Sequence, residues 1–243
     1  MLVTGGSRGI GAACCRLFAR AGAAVAVAYR AERETAEALA ASLPESPGGP
    51  HVALQADLSH PPEIEALFAR LAEIWGGLDV LVNNAGVWEE NPIRELDAAR
   101  HEALLALNVT GPFLCARAAL LLMEGAADPS IVNVASTAGQ RGEAFHSSYA
   151  ASKGALISAT KSWAVELAPR VRVNCVAPGW VETPMTEEAL AGPGRAEVVA
   201  TIPLGRVASA DDVAGPIVFL ASPLARHVTG EILNVNGGSV LVG

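Results

Sequence analysis

Two residue types that are scarce in this chain fall one helical turn apart. Among 243 residues there are two tyrosines and two lysines, and Tyr149 and Lys153 stand together in SSYAASKGAL, residues 147–156. On a helix, side chains at i and i+4 leave the same face within a few ångströms of each other. A cation beside a phenol favours phenolate and draws its pKa down from about 10 towards a range useful for proton transfer. An exposed helix face could carry the same two residues with no chemistry at all. What decides between the two is the scaffold around the pair.

A second pattern opens the chain. Thr4-Gly5-Gly6-Ser7-Arg8-Gly9-Ile10-Gly11 follows the apolar run LVT (2–4) and leads into a helical pattern from Gly9 to about Ala21. Gly5, Ser7, Arg8, Gly9, Ile10 and Gly11 are therefore candidate phosphate-binding residues. Glycines allow a tight turn and close approach of a pyrophosphate, and the helix N-terminus offers unpaired N–H groups and a positive dipole end. The spacing, G-x-x-x-G-x-G, departs from the commoner G-x-G-x-x-G. The second strand ends in Tyr29-Arg30, with no acid where one would hold a ribose 2′-hydroxyl. Arg30 and Arg8 could instead neutralise a 2′-phosphate, which favours NADP(H); Glu32, close by, keeps NAD(H) as the alternative.

The elements needed to position these groups alternate along the chain. Strand-like runs VAVAY (25–29), HVALQ (51–55), DVLVN (79–83), IVNVAS (131–136), VRVNCVA (171–177) and EILNV (231–235) join LVT. Helical patterns fall near 31–42, 64–75, 94–123 and 149–168; in IEALFARLAEIW the apolar Ile64, Leu67, Phe68, Leu71 and Ile74 recur at helical spacing. Seven short strands, most separated by helices, predict an α/β fold: one doubly wound (Rossmann) domain over 1–243, with a seven-stranded parallel sheet and helices on both faces. PESPGGP (44–50) reads as a surface loop rather than a linker.

Composition narrows the classes. A formal charge of −8, with pI near 5.1, argues against broad attraction to nucleic acid or anionic membrane. Mean hydropathy is +0.34, yet no run of 18 uncharged apolar residues occurs, so no membrane span is expected. The N-terminus lacks the basic and long apolar regions of a secretory signal. Cys14, Cys15, Cys115 and Cys175 have no C-x-x-C spacing and lie in apolar surroundings, which predicts buried reduced thiols and a cytoplasmic protein. The five histidines (51, 60, 101, 146, 227) are scattered, and no metal is expected.

Thr4-Gly5…Gly9-x-Gly11, Asn83-Asn84-Ala85-Gly86, Asn108, Ser136, Tyr149-x-x-x-Lys153 and Pro178-Gly179 occur in the order and rough spacing of the short-chain dehydrogenase/reductases. The resemblance covers nearly the whole chain, and within the family it is most similar to the 3-oxoacyl-(acyl carrier protein) reductase branch. It implies an oxidoreductase in which Tyr149 exchanges a proton with the substrate oxygen. Lys153 would hold the nicotinamide ribose and depress the Tyr149 pKa. Ser136 would hydrogen-bond the reacting oxygen, and Asn108 would hold a relay water, or else relieve a helix kink.

The resemblance also assigns cofactor contacts. Asn84, Ala85 and Gly86 would pack on adenosine and ribose, with Asn83 bracing the sheet. Asp57, beside Leu58 in ADLS, would meet the adenine amino group or else cap the loop that follows it. Pro178, Gly179, Val181 and Thr183 would face the nicotinamide and phosphates. Residues 140–148 (QRGEAFHSS) and 186–201 are expected to form the substrate wall, with a lid around 183–205. His146 reads as a wall residue, and Phe145 as apolar lining. The helices near 94–123 and 149–168 resemble those that build homotetramers in the family, though a monomer could bury them too. The pattern departs in two places: few residues precede LVTGG, and MEGAADPS (123–130) lacks the basic residues that help dock an acidic carrier protein. Arg170 and Arg172, near the sixth strand, are the cations left for that task.

Overall fold

The computed structural model describes residues 1–241. Its centre is a seven-stranded sheet of β1 (Leu2–Val3), β2 (Ala26–Tyr29), β3 (Val52–Gln55), β4 (Val80–Asn83), β5 (Ser130–Val134), β6 (Arg172–Pro178) and β7 (Ile232–Val235). The order is β3-β2-β1-β4-β5-β6-β7, with every pairing parallel. Strand order reverses between β1 and β4, so the loops after these two strands diverge and leave a crevice at the carboxyl edge.

Side chains alternate across the strands, so each strand feeds two cores. On one face Val3, Val27, Val82, Val132 and Val176 pack under α1 (Gly9–Arg20), α2 (Arg33–Ser42) and α9 (Ala210–Ala221). On the other, Leu2, Ala28, Leu81, Ile131 and Val173 pack under α3 (Pro61–Trp75), α5 (Gly111–Leu122) and α7 (Ser147–Glu166). Strands covered on both sides have no reason to alternate apolar and polar residues, which is why β2 reads as a continuous apolar run. The four cysteines are free and buried, and burial pushes the Cys15, Cys115 and Cys175 thiols up to about 12.

The long helical pattern near 94–123 resolves into α4 (Ala98–Leu105), one π turn over Ala106–Thr110, and α5. Together they form the one run among the described residues, Ala98–Leu122, that is long and apolar enough to cross a membrane by length and composition. Here Gly111, Pro112, Cys115, Ala116 and Ala119 are buried against the sheet, and Arg100, Glu102 and Arg117 sit on the same run. The remaining helices, α6 (Thr137–Arg141) and α8 (Gly194–Ala200), flank the carboxyl edge.

Candidate active site

A cleft of about 300 Å³ opens along that edge. Its floor begins where β1 turns into α1. Gly11 faces the Gly5 carbonyl so closely that a Cβ would lie 2.2 Å from that oxygen, so any larger residue would push the helix off the strand. Arg8, the residue capping α1, makes no side-chain cap, and the first turn holds no acid. Its N–H groups therefore face the cleft unpaired, a setting that fits a diphosphate. The loop is stitched to the turn after β4: Asn84 Nδ2 donates to the Thr4 and Gly5 carbonyls at 2.9 and 3.1 Å, and Thr4 Oγ1 accepts from the Asn84 and Ala85 N–H groups. Asn83 is buried and donates to Asn133 Oδ1 at 2.9 Å, tying β4 to β5.

At the ribose end, Arg30 and Arg8 both line the cleft. Arg8 stands 4.0 Å from Glu32, both largely exposed. Arg30 has no side-chain partner among the described residues, so its guanidinium is the cation available there. The Asp57 carboxylate accepts from Ser59 N at 2.9 Å and Ser59 Oγ at 2.6 Å, which caps the loop before α3. Of the two placements open for Asp57, the structure shows the loop cap; neighbouring Leu58 does line the cleft. Gly5, Ser7, Gly9, Ile10, Asn84, Ala85, Gly86, Pro178, Gly179, Val181 and Thr183 line it as well.

The polar end of the cleft gathers Ser136, Tyr149 and Lys153 from two elements. Ser136 caps α6, its Oγ accepting from Ala138 N at 3.1 Å. That leaves the hydroxyl proton to turn towards the Tyr149 hydroxyl beside it. Tyr149 and Lys153 come from successive turns of α7, with Lys153 Nζ 5.8 Å from the phenol ring centre. Lys153 is buried and donates to the Val134 carbonyl at 2.9 Å.

The electrostatics depart from the expectation drawn from the spacing. Tyr149 is pushed up to about 12, first by burial and further by the Glu143 charge, with the Ser136 hydroxyl working the other way. Lys153 is drawn down to about 8 by its own burial. Lys153 is thus not among the groups that move the phenol. The ammonium turns to a carbonyl rather than to the phenol oxygen, and both groups have lost water.

Asn108 lies behind the cleft, fully buried in the π turn. The extra residue of that turn swings its amide inward: Oδ1 accepts from Val87 N at 3.0 Å, and Nδ2 donates to Val87 O and Ser152 Oγ at 2.9 and 3.1 Å. Gly86 makes this approach possible, since a Cβ there would sit 3.1 Å from Asn108 Oδ1 and 3.3 Å from Lys153 Nζ.

The substrate wall is only partly where the sequence placed it. Arg141 and Glu143 line the cleft, as do Met185 and Thr186, but Phe145 points outward at 67% exposure. His146 is buried behind the wall, stacked on Trp88. Trp88 itself was missed; its signal was an aromatic residue two positions past the NNAG turn. Arg172 and Arg170 are also placed differently. Arg172 is buried and spent on Asp128 and carbonyls at the end of α9, and Arg170 donates to the Glu124 carbonyl. Arg172 is thus not available to dock a carrier.

Comparison with known proteins gives a consistent picture. A family model described as enoyl-(acyl carrier protein) reductase matches residues 5–239. A 3-oxoacyl-[acyl-carrier-protein] reductase from Synechocystis is 39% identical over 99% of this chain and 96% of its own. A cis-4-hydroxycyclohexanecarboxylate dehydrogenase from Sinomonas cyclohexanicum is 41% identical, with 99% and 96% covered. Among solved structures, a short-chain dehydrogenase from Burkholderia cenocepacia in complex with NADP superposes with a TM-score of 0.91 at 36% identity, covering 98% of this chain and 96% of that one.

Proposed function

Because the chain belongs to the short-chain dehydrogenase/reductase family and is an oxidoreductase, we propose that it interconverts a ketone and a secondary alcohol with NADP(H), a 3-oxoacyl thioester being the leading substrate. The observation that carries the reading is the meeting of Ser136, Tyr149 and Lys153 in one cleft with the uncapped N-terminus of α1. A scaffold that merely held a nucleotide would have no use for a buried ammonium beside a phenol.

The residues divide the work. The turn around Gly5–Gly11 and the α1 N-terminus hold the diphosphate, Arg30 and Arg8 the 2′-phosphate, and Val181 and Thr183 the carboxamide end. When bound, the nicotinamide supplies or takes the hydride. Ser136 hydrogen-bonds the substrate oxygen through its hydroxyl and fixes it beside the Tyr149 hydroxyl. Tyr149 gives its proton to that oxygen in reduction and takes one in oxidation. Lys153 holds the ribose, and Asn108 would hold a water that relays protons between Lys153 and solvent. The whole chain acts as one catalytic domain, with residues 183–205 as a lid.

Cofactor choice rests on Arg30. NADPH is expected to be preferred over NADH, and Arg30→Asp to lower the NADPH/NADH ratio of kcat/KM by about tenfold or more, since it replaces a phosphate-pairing cation by an anion. Equal or better use of NADH by the unaltered protein would sink the assignment.

A second reading, a dehydrogenase of a small or cyclic alcohol, is favoured by the burial of Arg172 and the acidic 123–130 stretch, which leave little to attract an acidic carrier. The Sinomonas relative is named for a reaction of that kind. Turnover of acetoacetyl thioesters on CoA and on carrier protein, set against free ketones, separates the two. Retention of activity on CoA thioesters with no gain on carrier protein places the substrate outside carrier-bound metabolism. We also assign a homotetramer, built on the outer faces of α5 and α7. There Phe113 meets Trp163 edge-on at 4.8 Å, and Leu121 and Val165 stand exposed. The buried free thiols and acidic charge favour a cytoplasmic location.

A further inference from the structure

One wall of the cleft is made where two loops clasp each other: residues 84–92 after β4, and residues 142–146 between α6 and α7. The Trp88 indole stacks flat on the His146 imidazole, ring centres 4.5 Å apart and planes 3° from parallel. Trp88 Nε1 donates to Glu143 Oε2 at 3.2 Å. The Asn91 N–H donates to the Phe145 carbonyl at 2.9 Å, and Phe145 is held at φ 66°, a left-handed conformation that bulky residues seldom adopt. Asn91 is buried and locked in turn, its side chain paired with both the N–H and the carbonyl of Asp97. Trp180 meets Trp88 edge-on at 5.9 Å. So many independent contacts on so few residues make a wall assembled before substrate arrives.

That wall presents two kinds of surface to the cleft. Trp88 and Trp180 offer aromatic area, and Glu143 offers a carboxylate fixed by the indole N–H. The Glu143 charge also reaches Tyr149, where proton transfer occurs. The other charged groups facing this region are Lys153, turned to the Val134 carbonyl, and Arg141, exposed and without an ion-pair partner among the described residues.

We propose that the Trp88–His146–Glu143 clasp is a specificity element. It admits neutral carbonyl compounds, whose apolar arm lies on Trp88 and Trp180, and turns away those with a free carboxylate a few bonds from the reacting carbon. A 3-oxo ester or thioester is neutral there. The matching 3-oxo acid would bring its anion against Glu143 inside a partly dry cleft, where like charges repel strongly. The inference rests on the ketone-reductase reading above and sharpens it.

The test compares kcat/KM for ethyl acetoacetate and acetoacetate with NADPH in the unaltered protein, Glu143→Gln, Trp88→Phe and Arg141→Gln. The ester should be favoured by about tenfold or more, and Glu143→Gln should narrow that ratio by about tenfold, mainly through KM for the acid. Glutamine keeps an acceptor for the indole, so the clasp itself survives. Trp88→Phe keeps the ring but frees Glu143, and should narrow the ratio partway. A ratio unmoved by Glu143→Gln would overturn the clasp's role while leaving the reductase reading intact. A preference for acetoacetate that Arg141→Gln abolishes would overturn it too, since Arg141 would then be capturing the acid. Turnover of neither compound, nor of acetoacetyl-CoA, would overturn both readings together.

Discussion

Tyr149→Phe lowers kcat for ketone reduction by about a thousandfold, within the range that a positioned general acid contributes. It leaves the thermal midpoint close to that of the parent, because the ring keeps its packing on α7. The pH dependence gives a sharper form of the same prediction. With Tyr149 pushed up to about 12, the acid needed for reduction is present throughout the neutral range, so the reductive rate should vary little between pH 6 and 8 on account of this group. Oxidation needs the phenolate, whose fraction below the pKa rises about tenfold per pH unit. Oxidative kcat/KM should therefore climb steeply towards pH 8. With the phenol held this high, the rise should continue above pH 8. An oxidative profile that is flat in the parent, or equally steep in Tyr149→Phe, would remove Tyr149 from the proton path.

How far this site could be read from the chain follows from which physical terms are local. Turn glycines, strand runs and the Tyr149–Lys153 spacing are written within a few residues, and the sheet, the glycine loop and the α7 pair stand where they were expected. The Tyr149 pKa is not local, since it depends on how much water the assembled cleft excludes and on Glu143 arriving from another turn. Asp57 had two plausible partners in sequence, and Ser59, two residues on, took it. The helix α9 escaped notice because Gly215-Pro216 sits inside it, a pair that ordinarily breaks helices. Its start was nonetheless legible in the Ser209–Asp212 capping box. What outweighs the proline is tertiary: Val213, Ala214, Ile217 and Leu220 are buried against α1 and the sheet.

That helix depends on a residue the sequence made look like a docking cation. Arg172 opens β6, and its guanidinium spends its donors on the Asp128 carboxylate and on the carbonyls of Leu220, Ala221, Ser222 and Ala225. Leu220 and Ala221 lie in the last turn of α9, whose carbonyls have no partner within the helix and carry the negative end of its dipole. A buried cation there satisfies them and ties the helix to the sheet. Arg172→Met keeps the bulk and removes every donor, and should cost about 3 kcal/mol, the scale for breaking a largely buried ion-pair network and leaving the Leu220 carbonyl without a donor. For a chain of this size that is a fall in Tm of roughly 6–12 °C. Arg172→Lys should recover only part of the loss, because an ammonium cannot fork across acceptors set so far apart. Asp128→Asn should cost less than about 1 kcal/mol, since Asp128 is more than a third exposed and its half of the pair is screened. Thermal unfolding of the three variants orders them, and an Arg172→Met protein melting with the parent would show that α9 is held by its apolar face alone.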